Sequence, residues 1–268
     1  MTTTVDLFHT VLDPDPADHS DANTLLLVHG WGGDGLEWSL HAETLAAAGH
    51  RVIVPDLRGH GRSPVPDEDN TPAAMTRDLT ALLTHLRTGP VVAVGHSMGG
   101  QVVNLLAVHH PDLVRSVVTL DPAHGAHGAE LDEIPRRLTA YREQGSSAAV
   151  PLVAGAFSPT APAGLRTARI RTMLGTPGHV IAQAYAGMYT DPDAVGVRPH
   201  SETYLRRRTC RALTVWTSAE AADWERGTLR APGSRVDHWP GTGHYLHEEH
   251  PERTVRLIGQ WTAGRAAY

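Results

Sequence analysis

Gly95-His96-Ser97-Met98-Gly99-Gly100 is the stretch that decides the fold. It follows the apolar run Val91-Val-Ala-Val94 and precedes Val102, Val103, Leu105 and Leu106, which recur at helical spacing. Strand, sharp turn and helix with a serine at the turn is the context that a G-x-S-x-G nucleophile elbow requires. The glycines have a physical reason. A serine held on so tight a turn crowds its neighbours, and residues without Cβ two positions to either side let strand and helix pass closely enough to expose the Ser97 hydroxyl. Without that context the same serine would read as an ordinary helix cap.

Outward from the elbow, short β-rich runs alternate with longer helical patterns. Leu25-Leu-Leu-Val28, Arg51-Val-Ile-Val54, Val91-Val-Ala-Val94, Ser116-Val-Val-Thr-Leu120 and Ala212-Leu-Thr-Val-Trp216 are strands of the fully buried kind. Thr71-Pro72 reads as an N-cap and first helical residue, and Met75, Leu79, Leu82, Leu83 and Leu86 form one apolar stripe behind it. This alternation predicts an α/β fold, a mostly parallel central sheet with helices on both faces. Residues 123–211 break the pattern with several helical stretches punctuated by Gly, Pro and Ser, which predicts a helical cap inserted into a core of residues 1–122 and 212–268.

Composition narrows the partners. The 268 residues suit one α/β domain with an insertion. The formal charge of -6 comes without a long run of one sign, which argues against a nucleic-acid or anionic-membrane surface and for a small-molecule substrate. All 23 basic residues are arginines. The start Met1-Thr-Thr-Thr-Val-Asp has no basic or apolar leader region and no run approaches a membrane span, so a soluble, cytoplasmic monomer or homodimer is expected. The single cysteine, Cys210, has no partner for an internal disulfide and reads as inert.

Three further segments resemble a known family. In chain order His29-Gly-Trp-Gly-Gly33, Pro55-Asp-Leu-Arg-Gly-His-Gly-Arg-Ser63, the elbow, and Gly241-Thr-Gly-His244 with His250-Pro-Glu-Arg253 resemble the α/β-hydrolase superfamily over essentially the whole chain. The resemblance implies that Ser97 is the nucleophile, that His244, on a loop after the last strand, is its general base, and that the main-chain N–H groups of Trp31 and Met98 form the oxyanion hole. For the acid it leaves two candidates. Most relatives carry it after the strand placed here at Ala212 to Trp216, where this chain has Glu220 and, further on, Asp223. Asp121, in Leu120-Asp-Pro-Ala, stands where the lactone-hydrolase subgroup that includes zearalenone-cleaving enzymes carries its acid, and it is preferred on chain-end geometry.

A serine rather than an aspartate nucleophile argues against haloalkane dehalogenases and epoxide hydrolases. Esters, lactones, thioesters and vinylogous C–C bonds fit, with no cofactor and no metal. Elimination, cyclisation and a non-hydrolytic small-molecule receptor are the alternatives. Gly30, Trp31, Trp38, Met98, Tyr185, Met188 and Tyr189 are candidate pocket residues, the last three from the cap. His124-Gly-Ala-His127 beside Asp121, and His247-Glu-Glu-His250, have metal-like composition, but the first carries glycine between its histidines and the second lacks a third ligand. A hinge and a helix surface are expected there.

Overall fold

A computed structural model describes residues 3–14 and 23–264. Seven strands, β1 (His9–Leu12), β2 (Thr24–Val28), β3 (Arg51–Pro55), β4 (Val91–His96), β5 (Val114–Leu120), β6 (Arg211–Trp216) and β7 (Arg235–His238), form one sheet in the order β1-β3-β2-β4-β5-β6-β7. Only β1 is antiparallel, to β3. The expected strands are present, with β4 running two residues further so that Gly95 and His96 close it. β1 escaped the sequence reading because it is a four-residue edge strand with no fully buried position.

The helices α1 (Ser39–Ala47), α2 (Pro72–His85), α3 (Met98–His109), α4 (Ala129–Gln144), α5 (Val150–Gly155), α6 (Ala163–Gly175), α7 (Gly178–Tyr189), α8 (Arg198–Leu205), α9 (Ala219–Arg226), α10 (Leu246–Glu249) and α11 (Pro251–Thr262) cover the sheet. Five of them, α4 to α8, intervene between β5 and β6. Side-chain alternation divides the core. Leu25 and Leu27 of β2 and Val92 and Val94 of β4 pack with Trp38, Leu257 and Trp261, while Leu26, Val28 and Ala93 pack on the other face with Met75, Leu79, Val102 and Leu106. α2 begins as its sequence demands, with the Thr71 hydroxyl accepting from the Ala74 N–H.

The chain crosses over between β3 and β4 to the other side of β2, so the carboxyl ends of β2 and β4 lie side by side where the strand order reverses. Ligands of open α/β sheets bind at such a switch point. Here it brings the His29–Trp31 loop beside the elbow.

One charged pair anchors the loop after β3 to α2. Arg58 donates from Nε and Nη2 to Asp78 Oδ2 and Oδ1 at 2.5 and 2.7 Å, with both side chains almost fully buried. Removing one partner leaves an uncompensated charge in the core. Asp78→Ala is therefore expected to lower unfolding stability by about 3 to 5 kcal/mol. The double change Arg58→Met, Asp78→Leu should cost much less, and urea denaturation of both variants checks the ranking.

Candidate active site

The elbow is built by close approach. A Cβ on Gly95 would fall within 3 Å of the Gly99 and Gly100 backbone, and one on Gly99 would meet the carbonyls of Val28 and His29. Both positions therefore exclude a side chain. Ser97, between them, has φ +51°, a conformation that costs a non-glycine residue free energy and clusters at functional sites. The surroundings over-determine it: the Ser97 N–H donates to the Leu120 carbonyl at 3.1 Å, and its carbonyl accepts from Ala123 at 2.9 Å. Among the described residues the Ser97 hydroxyl makes no hydrogen bond, and the side chain stands on the wall of a cleft of about 670 Å³.

Asp121 directly follows β5 and is also at positive φ, +41°. Its Oδ1 accepts from the Thr217 N–H at 3.0 Å and the Thr217 hydroxyl at 2.9 Å, and its Oδ2 accepts from His244 Nδ1 at 2.6 Å. Burial pushes the Asp121 carboxyl up, but the hydrogen bond and charge of His244, followed by the two Thr217 donors, outweigh it and hold the group below its ordinary value. A carboxylate only accepts, so His244 carries its proton on Nδ1 and leaves Nε2 as the basic nitrogen. Ser97, Asp121 and His244 all line the same cleft.

Glu220 also lines this cleft but pairs with other groups, not with His244. Two-thirds exposed at the start of α9, it accepts from Arg198 Nη2 at 2.8 Å and lies 2.7 Å from His127 Nε2. Asp223 is exposed and pairs with Arg226.

Trp31 and Met98 present main-chain N–H groups that donate to no described residue; that of Met98 is the first of α3. The Trp31 indole donates to the Ile181 carbonyl at 3.0 Å and tilts against Tyr141 and Tyr185, both of the inserted helices. Gly30, Trp31, Tyr185, Met188 and Tyr189 line the cleft. Two expected wall residues do not. The Met98 side chain turns into the core below the elbow and is fully buried there, and Trp38 is fully buried on the opposite face of the sheet.

Behind the site lies a polar network that no local motif announces. Glu37 Oε1 accepts from the Gly30 N–H at 3.1 Å and lies 3.3 Å from His96 Nδ1 and 3.6 Å from His247 Nε2; its Oε2 lies 3.6 Å from Arg169 Nη1. Burial would push Glu37 up, and the interactions with the adjacent His247 and His96 rings hold it well below its ordinary value. His247, expected on a helix surface, is fully buried, with its ring against those of Trp38 and His96. Glu37, His96 and His247 bring three ligand-type atoms within 4.8 Å of one another. The Arg169 guanidinium already supplies a cation to Glu37, which disfavours a second one. His96 Nε2 donates to the His244 carbonyl at 3.0 Å.

His124, expected at a hinge, is buried too. It faces Glu225 at 3.1 Å, and that carboxylate also accepts from Thr214 Oγ1 at 2.7 Å and Trp216 Nε1 at 2.8 Å. Burial would raise the Glu225 carboxyl, but His124, Arg208 and Thr214 bring it down to about 2.

Fold and site define a hydrolase-type α/β protein, and the chain belongs to the alpha/beta hydrolase fold family, whose model matches residues 23–162. Across 95% of its length it is 33% identical to the magnesium-chelatase 30 kDa subunit of Rhodobacter capsulatus, covering 90% of that protein. It is 40% identical over 110 residues to lipase LipV of Mycobacterium tuberculosis, 41% of either chain. With the malate-bound structure of a thermophilic esterase from Thermogutta terrifontis it shares a TM-score of 0.80 at 26% identity, over 97% of this chain and 94% of that one. The matched region spans 32% to 46% of the length of three curated relatives, lipase LipV among them.

Proposed function

We propose that the chain is a serine hydrolase that cleaves an ester, lactone or related carbonyl group of a small molecule through an acyl-enzyme on Ser97. The observation that carries this reading is the 2.6 Å contact of Asp121 Oδ2 with His244 Nδ1 on the cleft that also exposes the strained Ser97. Ser97 Oγ attacks the carbonyl as His244 Nε2 takes its proton. The Trp31 and Met98 N–H groups receive the oxyanion, Asp121 holds the imidazole tautomer, and water completes the cycle through the same histidine. A cleft of about 670 Å³ suits one small molecule. No helix among the described residues is long and apolar enough to cross a membrane. Labelling with a fluorophosphonate probe, followed by peptide mapping, tests the reading: a label on Ser97 supports it.

A second reading has one observation behind it. The relative matched over nearly the whole chain is named as a chelatase subunit, not as a hydrolase. Absence of both label and turnover on activated esters would favour a non-hydrolytic binding protein, or one catalysing elimination or cyclisation.

In our reading residues 123–211 form a cap that chooses the substrate while the core performs the chemistry. The rings of Tyr185 and Tyr189 meet at 5.0 Å, tilted by 54°, on the cleft wall. Tyr185→Ala or Tyr189→Ala is expected to shift relative kcat/KM among acyl or alcohol groups on the order of tenfold, as changes in pocket wall contacts do, with smaller effects on 4-nitrophenyl acetate. Equal losses on every substrate would contradict that division of labour.

A further inference from the structure

Two arginines line the cleft, and their surroundings differ. Arg198 donates to Glu220 at 2.8 Å, packs over the Trp224 ring and donates to the Gly125 carbonyl, so its charge is matched. Arg137 has no such partner: among the described residues no carboxylate lies within 4.0 Å of it. Of the acids nearest in sequence on α4, Glu133 pairs with Arg136 at 2.9 Å, and Glu130, which also lines the cleft, accepts from the His127 N–H at 3.4 Å; neither forms an ion pair with Arg137. Arg137 lines the cleft together with Tyr185 and Tyr189, and its charge acts on the hydroxyls of Tyr141, Tyr185 and Tyr189.

α4 directs this charge inward. Ile134, Arg137 and Tyr141 follow one another at spacings of three and four, which places them on one helix face. Ile134 and Tyr141 are buried, and Ile134, Arg137 and Tyr185 line the same cleft as Ser97. A guanidinium is charged at any working pH, and holding it half-buried among aromatic rings without a counter-charge is unfavourable. Its planar fork matches a carboxylate in a bidentate pair. An anion entering the cleft would supply the missing charge.

We propose that Arg137 and the Tyr185 hydroxyl form an anion-binding subsite on the cap side of the cleft, so that the substrate carries a carboxylate remote from its scissile carbonyl. The inference rests on the serine-hydrolase reading for the word substrate, but the subsite is testable without turnover. The carboxylate can arrive on the acyl part or on the alcohol part, and matched pairs separate the two. 4-Nitrophenyl hemiglutarate against 4-nitrophenyl valerate differs only in a terminal carboxylate for a methyl group on the acyl side. 4-(Butanoyloxy)butanoate against butyl butanoate does the same on the alcohol side.

In at least one pair the acidic member should be preferred in kcat/KM on the order of tenfold, chiefly through KM, as one charge-assisted contact allows. In Arg137→Met the ratio within that pair should fall towards one, and Arg137→Lys should keep part of it. Independently, isothermal titration of glutarate into Ser97→Ala should show binding that the added Arg137→Met change weakens by a similar factor. If no ester of any kind is turned over but glutarate binds through Arg137, the hydrolase reading fails and the subsite stands. Neutral esters hydrolysed with no acidic preference in either pair, and no Arg137-dependent glutarate binding, would overturn the subsite and leave the hydrolase reading in place.

Discussion

Ser97→Ala should lower turnover of an activated ester such as 4-nitrophenyl butyrate by on the order of 10³ to 10⁶, with the thermal unfolding midpoint almost unmoved. The two halves of that expectation have separate grounds. Activity should fall because in the proposed mechanism the hydroxyl forms the acyl-enzyme, and the N–H donors of Trp31 and Met98 and the binding surface would retain only the catalysis that positioning and electrostatics give. Stability holds because the hydroxyl has no hydrogen-bond partner among the described residues, so nothing buried is left unsatisfied by its loss. A variant with near wild-type turnover would remove Ser97 from the mechanism, whereas a variant that unfolds would say nothing against its chemistry, so both measurements belong together.

Asp121→Asn is expected to cost on the order of 10⁴ in kcat, the magnitude known for the equivalent change in serine proteases. The local geometry explains why the amide cannot substitute. Thr217 offers its N–H and hydroxyl to Oδ1, so the amide oxygen of an asparagine settles there and its NH₂ turns towards His244. A donor in that place selects the imidazole tautomer protonated on Nε2, which cannot take a proton from Ser97. Glu220→Gln should leave kcat within about a factor of two, because an exposed carboxylate paired with Arg198 and His127 at the start of α9 contributes little. The opposite ranking would move the acid to the strand end that Glu220 follows. Asp121 also leaves a mark on stability. Its folded-state pKa is depressed, so its contribution is complete above the unfolded value of about 3.9 and is lost as pH falls through the lower folded value. Asp121→Asn should flatten that acid limb.

Much of this arrangement was legible in the sequence because it is written locally. Strands buried on both faces read as continuous apolar runs, the elbow carries its own glycines, and Asp121 stands one residue beyond a strand end. The residues that escaped depend on contacts between distant segments. Glu37 meets His96 across 59 positions and Glu225 meets His124 across 101, and nothing around either glutamate distinguishes it from a solvated one. Met98 and Trp38 show the converse limit. Proximity in sequence to a site residue does not set a side chain's direction: Met98 follows Ser97 directly yet points into the core beneath it, and Trp38 follows the His29–Gly33 loop yet lies across the sheet. Glu220 stayed open as the alternative to the preferred Asp121 for a third reason: a strand end offers several positions, and it is the turn geometry at Asp121 that carries a carboxylate to the imidazole.

The hydrogen bond from His96 to the His244 carbonyl acts as a caliper. His96 is the residue immediately before Ser97, and its ring spans from the last position of β4 to the main chain of His244. The spacing of Ser97 and His244 is thus gauged by the width of one rigid imidazole, itself in tilted ring contact with His244, Tyr245 and His247. The loop after β7 is held from the other side as well, since the His244 N–H donates to the Ala156 carbonyl of the inserted helices at 2.6 Å, so its calibration against the elbow is shared by core and insertion.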